Sequence, residues 1–133
     1  MRIERTSYLN QLVESRNNGL IKIITGIRRC GKSYLLFNIF YDYLISHGVD
    51  GNHIIKVALD DILNEEYRNP RKFLLYVKEA IKDSEIHYIF IDEVQMMDDF
   101  VGVLNSLLRI ENVDVYVTGS NSKFLSSDIA TEF

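Results

Sequence analysis

Apolar positions recur along this chain with two alternating periods, one helical and one extended, and polar or glycine-rich punctuation separates the segments. Residues 5–16 carry Leu9, Leu12 and Val13 on one face of a short amphipathic helix, which Asn17-Asn18-Gly19 ends with turn chemistry. Residues 20–25, LIKIIT, form a β-branched run of the kind found in strands buried on both faces. A helix is then expected over residues 32–46, closed by Gly48. Its clear polar stripe is Asn38, Asp42 and Ser46, and the rest is apolar or aromatic, so it should be covered on most sides. Residues 54–59 read as a second strand ending at Asp60-Asp61. Asn69-Pro70 then opens a helix, with Asn as cap and Pro in the first turn, that bears Phe73, Leu74, Val77 and Ile81. Residues 86–91 form a third strand. Asp98 or Asp99 caps a helix with Phe100, Val103, Leu104, Leu107 and Leu108 inward, and residues 113–117 form a fourth strand before polar TGSNS and a short helical tail. Strands alternating with helices imply an α/β fold, a parallel sheet with right-handed crossovers and helices on both faces, in one domain.

Composition narrows the function classes. The 133 residues suit one core, and 47% apolar with 26% charged residues is an ordinary globular mix. Net charge is −4 with no basic run, which argues against a nucleic-acid footprint. The single cysteine, Cys30, rules out an internal disulfide and fits a reducing cytoplasm. The opening MRIERTSYLNQ lacks the apolar core of a secretory signal, and no run is long and apolar enough to span a membrane. His47, His53 and His87 stand far apart without metal-ligand spacing and read as structural or surface residues.

The glycine cluster after the first strand carries the chemistry. Gly26-Ile27-Arg28-Arg29-Cys30-Gly31-Lys32-Ser33 fits G-x-x-x-x-G-K-[ST], and it sits between a predicted strand and a predicted helix. Gly26 and Gly31 permit a backbone that turns several N–H groups inward. Those amides and the positive helix end hold phosphate oxygens, Lys32 supplies a point charge to the outer phosphates, and Ser33 offers a hydroxyl to magnesium. Arg28 and Arg29 lie inside the loop, facing either phosphate or local acids. Cys30 is in the same loop beside a helix N-terminus. Tyr34 closes the candidate binding segment, although the stripe it begins with Phe37 and Tyr41 reads as core or interface.

The third strand, YIFI, ends in Asp92 and Glu93. Parallel strands present their carboxyl ends to the ligand crevice, where the first strand also delivers its loop. Asp92 is therefore expected to reach magnesium, and Glu93 to position an attacking water near the outer phosphate. An acid pair favours water attack over transfer to a substrate hydroxyl. Gln95 is a candidate relay or a surface residue, and Tyr8 and Arg5 are candidate covers for the base or plain helix packing.

Taken together, GIRRCGKS, YIFIDEVQ and YVTGSNSKFLSSDIA, preceded by IERTSYLNQL, resemble the AAA-type ATPases, in particular a prokaryotic branch that often carries a carboxyl-terminal domain of unknown function. The resemblance implies a P-loop core of AAA/RecA type. Gly26, Gly31, Lys32 and Ser33 match Walker A, Asp92 and Glu93 match Walker B, and one of Thr118, Ser120 or Asn121 matches sensor 1. Asn121 and Thr118 are the favoured two, and the residues do not separate them. It further implies ATP and Mg2+ as cofactors, and hydrolysis that drives a change in an attached domain, a protein partner or a second copy. The alternatives are a switch that holds nucleotide without hydrolysing it, a small-molecule kinase, for which no phosphoacceptor signature is present, and a DNA-associated module. The family pattern continues with a fifth strand and a glycine-arginine segment, and this chain stops at Phe133. Residues 1–133 accordingly read as the front part of a longer P-loop domain, with no residue to match the arginine finger, an unpaired outer edge on the first strand, and weak turnover on its own.

Overall fold

The computed structural model describes residues 2–25, 29–119 and 130–132, with side chains for 7–25 and 31–119. The extended runs become β1 (Ile21–Ile24), β2 (Ile54–Ala58), β3 (His87–Asp92), β4 (Val113–Thr118) and β5 (Ala130–Glu132). They form one sheet in the order β2-β3-β4-β1-β5, and every neighbouring pair is parallel. The helices are α1 (Arg2–Glu14), α2 (Arg29–Tyr34), α3 (Tyr41–Ser46), α4 (Pro70–Ala80) and α5 (Phe100–Leu108). A π-helical segment, Leu35–Phe40, joins α2 to α3 without a break. The fold class is the expected one, α/β with a parallel sheet.

Side chains alternate across a strand, so each strand feeds two cores. On one face Ile21, Ile23, Ile55, Val57, Ile89, Ile91, Val115 and Val117 pack against Phe73 and Val77 of α4 and Val103, Leu104 and Leu107 of α5. On the other, Ile24, Ile54, Tyr88, Phe90 and Tyr116 meet Leu12 of α1, Leu35, Leu36 and Phe40 of the π segment and Leu44 of α3. The second face is the aromatic one. Phe40 lies with its ring centroid 4.7 Å from Tyr116 and 5.6 Å from Phe90. Burying such rings contributes about 0.5–1.5 kcal/mol per pair beyond their area.

The caps follow the sequence. Asn69 Oδ1 accepts from Lys72 N at 3.0 Å, with Pro70 in the first turn of α4, and Asp99 Oδ1 accepts from Gly102 N at 3.2 Å at the head of α5. The polar stripe Asn38, Asp42 and Ser46 faces outward as expected. The helix is less covered than its composition suggests, because Tyr34 and Ile45 are 46% and 40% exposed.

Two expectations are corrected at the end of the chain. Ala130–Glu132 is a strand rather than part of a helical tail, and it pairs in parallel with β1, Ile21 against Ala130 and Ile23 against Glu132. The outer edge of β1 is therefore covered over three residues rather than left open, which removes that much of the free pairing surface.

A buried ion pair ties β1 to β4. Lys22 is fully buried and its Nζ bonds Asp114 Oδ1, Leu20 O at 2.8 Å and Asn18 Oδ1 at 3.2 Å. Asp114 also accepts from Tyr116 Oη–H at 2.6 Å and from the Asn17 amide at 2.9 Å. Burial pulls the Lys22 ammonium below its ordinary range, and the Asp114 charge and hydrogen bond work against that. Asp114→Ala should therefore cost about 3–5 kcal/mol in urea unfolding, because it strands a buried ammonium. Replacing both partners in the neutral pair Lys22→Met/Asp114→Asn should cost less than half as much. A single-variant cost below about 1 kcal/mol would mean that Lys22 is satisfied without Asp114.

Candidate functional site

Strand register brings the candidate residues together. Ile24 at the end of β1 lies beside Thr118 at the end of β4, and Ile91 of β3 lies beside Val117. The carboxyl ends of three strands therefore meet where α2 begins, and Ala58 at the end of β2 lies beside Asp92. This is the edge of a parallel sheet at which ligands bind.

Asp92 is the hub. Its carboxylate, 5% exposed, accepts from Ser33 Oγ–H at 2.8 Å and from Thr118 Oγ1–H at 2.5 Å, both on Oδ1. Burial pushes its pKa above the usual carboxylate range, and the Thr118 and Ser33 hydroxyls oppose that shift. Thr118 Oγ1 also accepts from the Glu93 backbone amide at 2.9 Å, so one hydroxyl joins the Asp92 carboxylate to the main chain of Glu93. Lys32 is 4% exposed, and its Nζ donates to Gly119 O at 2.8 Å just past β4. The ammonium is thereby held at the same strand ends as the acids.

Glu93 turns sharply out of β3. Its φ of 57° and ψ of 54° are left-handed, a conformation that costs a residue with a Cβ about 1–2 kcal/mol. Gln95 Nε2 donates to Glu93 Oε1 at 2.7 Å. The Gln95 Oε1 atom is buried and has no partner among the described residues. Gln95 therefore contacts the acid directly and is not a plain surface glutamine.

An open cavity of about 610 Å³ lies over this edge, lined by Ser33, Tyr34, Phe37, Asn38, Ala58, Asp60, Asp92 and Glu93. Of the sequence candidates, Ser33, Tyr34, Asp92 and Glu93 line it directly. Thr118 is not in the lining and lies beneath it, where its hydroxyl is spent on the acids. Gly31 is at the head of the same helix. Arg29 and Cys30 belong to α2 by backbone, and their side chains, with Gly26, Arg28, Ser120 and Asn121, lie outside the described residues, as does the Arg5 side chain. Tyr8 packs against the aromatic core, which is its helix-packing role. Asp60 was not anticipated. Its signal is the one that marks Asp92, an apolar strand ending in acids, and in β2 the two acids follow Ala58-Leu59.

A family model described as an AAA domain matches residues 18–133, most of the chain. The chain belongs to the AAA domain family. Among curated proteins, the AAA domain is 33% identical over 130 residues to an uncharacterized protein of Haemophilus influenzae, covering 97% of this chain and 32% of that protein. It is 38% identical over 118 residues to an uncharacterized protein of Methanocaldococcus jannaschii, covering 84% of this chain and 23% of that one. The chain thus spans about a third of one relative's length and about a quarter of the other's. Membership assigns nucleotide binding of the ATPase kind to the domain. Among the described residues no helix is long and apolar enough to cross a membrane.

The left-handed turn at Glu93 yields a stability test. Glu93→Gly and Glu93→Ala both delete the carboxylate, and they differ in whether the backbone is at ease. Glu93→Gly should be the more stable of the two by about 1 kcal/mol in chemical denaturation. The opposite order would show that the turn is not held in the native state.

Proposed function

We propose that this AAA domain binds ATP with magnesium between the loop of residues 26–33 and the acids of β3, and hydrolyses it. The observation that carries the reading is the Ser33–Asp92 hydrogen bond, which joins the end of the phosphate-loop motif to the acid of β3 at the rim of the cavity. The groups that line the cavity include the Ser33 hydroxyl and the carboxylates of Asp60, Asp92 and Glu93, hard oxygens of the type that suits magnesium rather than a soft metal. Ser33 and Asp92 are the residues that would hold the ion, and once bound it offsets negative charge on the outer phosphates.

Lys32 is the second source of positive charge. Its ammonium, bonded to Gly119 O among the same strand ends, would turn to the outer phosphates as charge shifts toward the leaving group. Glu93 orients the attacking water, and Gln95 fixes one of its oxygens while leaving the other for that water. Thr118 acts through the acids, setting the spacing of Asp92 and Glu93 with one hydroxyl. The phosphate-loop motif assigns the rest of the cradle to Gly26, Arg28, Arg29, Cys30 and Gly31, and Asn121 remains the second candidate for sensing the outer phosphate. The base would lie toward Tyr34 and Phe37, the aromatic side of the cavity. The relatives extend well beyond the matched length, and we assign to the full protein a cycle that moves an attached domain or partner.

Equilibrium binding and steady-state phosphate release test the roles separately. Lys32→Ala should weaken Mg-ATP binding by about tenfold or more, since it removes a charge-assisted contact with phosphate. Glu93→Gln should bind ATP as the unaltered protein does and lose turnover about a hundredfold. Tight binding with no phosphate release from the unaltered protein would point instead to a domain that holds nucleotide as a switch, and unchanged turnover in Glu93→Gln would remove Glu93 from the reaction.

A further inference from the structure

The opposite end of the sheet carries a second cluster of ligating side chains. Ile54 lies beside Tyr88 in the parallel register of β2 and β3, so the residues just before them, His53 and His87, come side by side. They are distant in sequence, yet their ring centroids are 4.7 Å apart, with one ring edge-on to the other. Asp83, in the connection from α4 to β3, reaches both: Oδ2 lies 2.9 Å from His53 Nε2, and Oδ1 lies 4.0 Å from His87 Nε2. One donor atom from each of the three residues lies within 4.8 Å of the other two. Among the described residues no other group of three histidines, cysteines or acids converges this way.

His87 is already oriented as a ligand. It is fully buried, and its Nδ1 lies 2.8 Å from Glu85 O. A carbonyl accepts only, so Nδ1 carries the proton and Nε2 carries the lone pair on the side of Asp83. Ligating histidines are commonly set this way, with the other ring N–H on a backbone carbonyl. The Nε2 lone pair otherwise meets only a long contact, the Lys82 amide at 3.4 Å. The connection that bears Asp83 is itself pinned, since Asn112 Nδ2 donates to Asp83 O at 2.9 Å and to Glu85 O at 3.0 Å. An ordinary surface ion pair accounts for His53 with Asp83. It does not involve the buried His87 Nε2 aimed at that same pair, whose one hydrogen bond is the long one from the Lys82 amide.

We propose that His53, Asp83 and His87 form a binding site for a divalent transition-metal ion of the zinc class, with two imidazole nitrogens, one carboxylate oxygen and a water as ligands. Imidazole donors select zinc-like ions over magnesium or calcium, which separates this site from the oxygen-lined one at the other end of the sheet. Tetrahedral bonds of about 2.0–2.1 Å place donors about 3.3 Å apart, so separations of up to 4.8 Å must close while the 2.9 Å His53–Asp83 pair opens. The two side chains that would move, His53 and Asp83, are 20% and 47% exposed, whereas buried His87 stays fixed. Binding displaces the proton that His53 shares with Asp83. The ion would tie the starts of β2 and β3 to the connection leaving α4, a clamp on the sheet end remote from the nucleotide.

Cobalt and zinc titration of tag-free, metal-stripped protein without nucleotide tests the proposal. We expect one equivalent of Co2+ to give the intense visible absorption of a four-coordinate ion, which Zn2+ then bleaches. His53→Gln and Asp83→Asn should each weaken binding at least tenfold, and His47→Gln, at an exposed histidine outside the cluster, should leave it unchanged. Zn2+ should raise the melting temperature of the unaltered protein but not of His53→Gln. The half-buried His53 and the exposed Asp83 carry the test, since replacing buried His87 endangers the fold itself. A pale six-coordinate cobalt spectrum, or unaltered affinity in both His53→Gln and Asp83→Asn, overturns the proposal.

Discussion

A carboxylate taken almost wholly out of water must be given hydrogen bonds or it will not stay charged, and Asp92 is in that position. Its pKa is already pushed upward by burial. What offsets that cost is a pair of hydroxyls, Ser33 from the helix that follows β1 and Thr118 from the end of β4, both on the same oxygen. Hydrogen bonds to a charged acceptor contribute about 1.5–3 kcal/mol each, more than neutral ones. Three chain segments far apart in sequence are thus fastened at one atom. Everything proposed for the nucleotide site depends on that fastening, because it sets where the acids stand relative to Lys32.

The sheet makes the fastening possible. Because all strands run the same way, every strand ends at the same edge, and the two cores that cover its faces leave only the ends accessible. One end gathers hydroxyls, acids and an ammonium. The other gathers two imidazoles and a carboxylate. Glu93 adopts a left-handed backbone directly after the buried acid, which turns the chain out of the strand at the cavity that Glu93 lines. Family membership assigns nucleotide binding to the domain.

Much of this was legible from residue order. The positions of β1 to β4 and the start of α4 follow from period, cap and proline chemistry, each a local signal. The phosphate-loop motif and Asp92-Glu93 are legible because the residue types themselves carry the chemistry. Thr118's double role was not, since it arises from register between β3 and β4, which no local pattern encodes. The same holds for His53 and His87, which look unrelated until β2 and β3 are aligned. Leu35–Phe40 is π-helical with no warning, because LLFNIF is apolar almost throughout and gives a period no phase to read. Ala130–Glu132 is too short for alternation to separate strand from helix. Asp60 is legible in principle, as the same apolar-then-acid ending that marks β3.

Manganese in place of magnesium on bound ATP tests the central claim most directly, read by paramagnetic broadening of backbone amide signals. The ion's position relative to Asp92 predicts that the amides of Ser33, Asp92 and Glu93 bleach first. Those of Tyr88 and Asp114, at the other end of the same strands and roughly 13 Å away at about 3.3 Å per residue, should persist longest. Bleaching that spares Ser33 and Asp92, or that spreads from the Tyr88 end, contradicts the account.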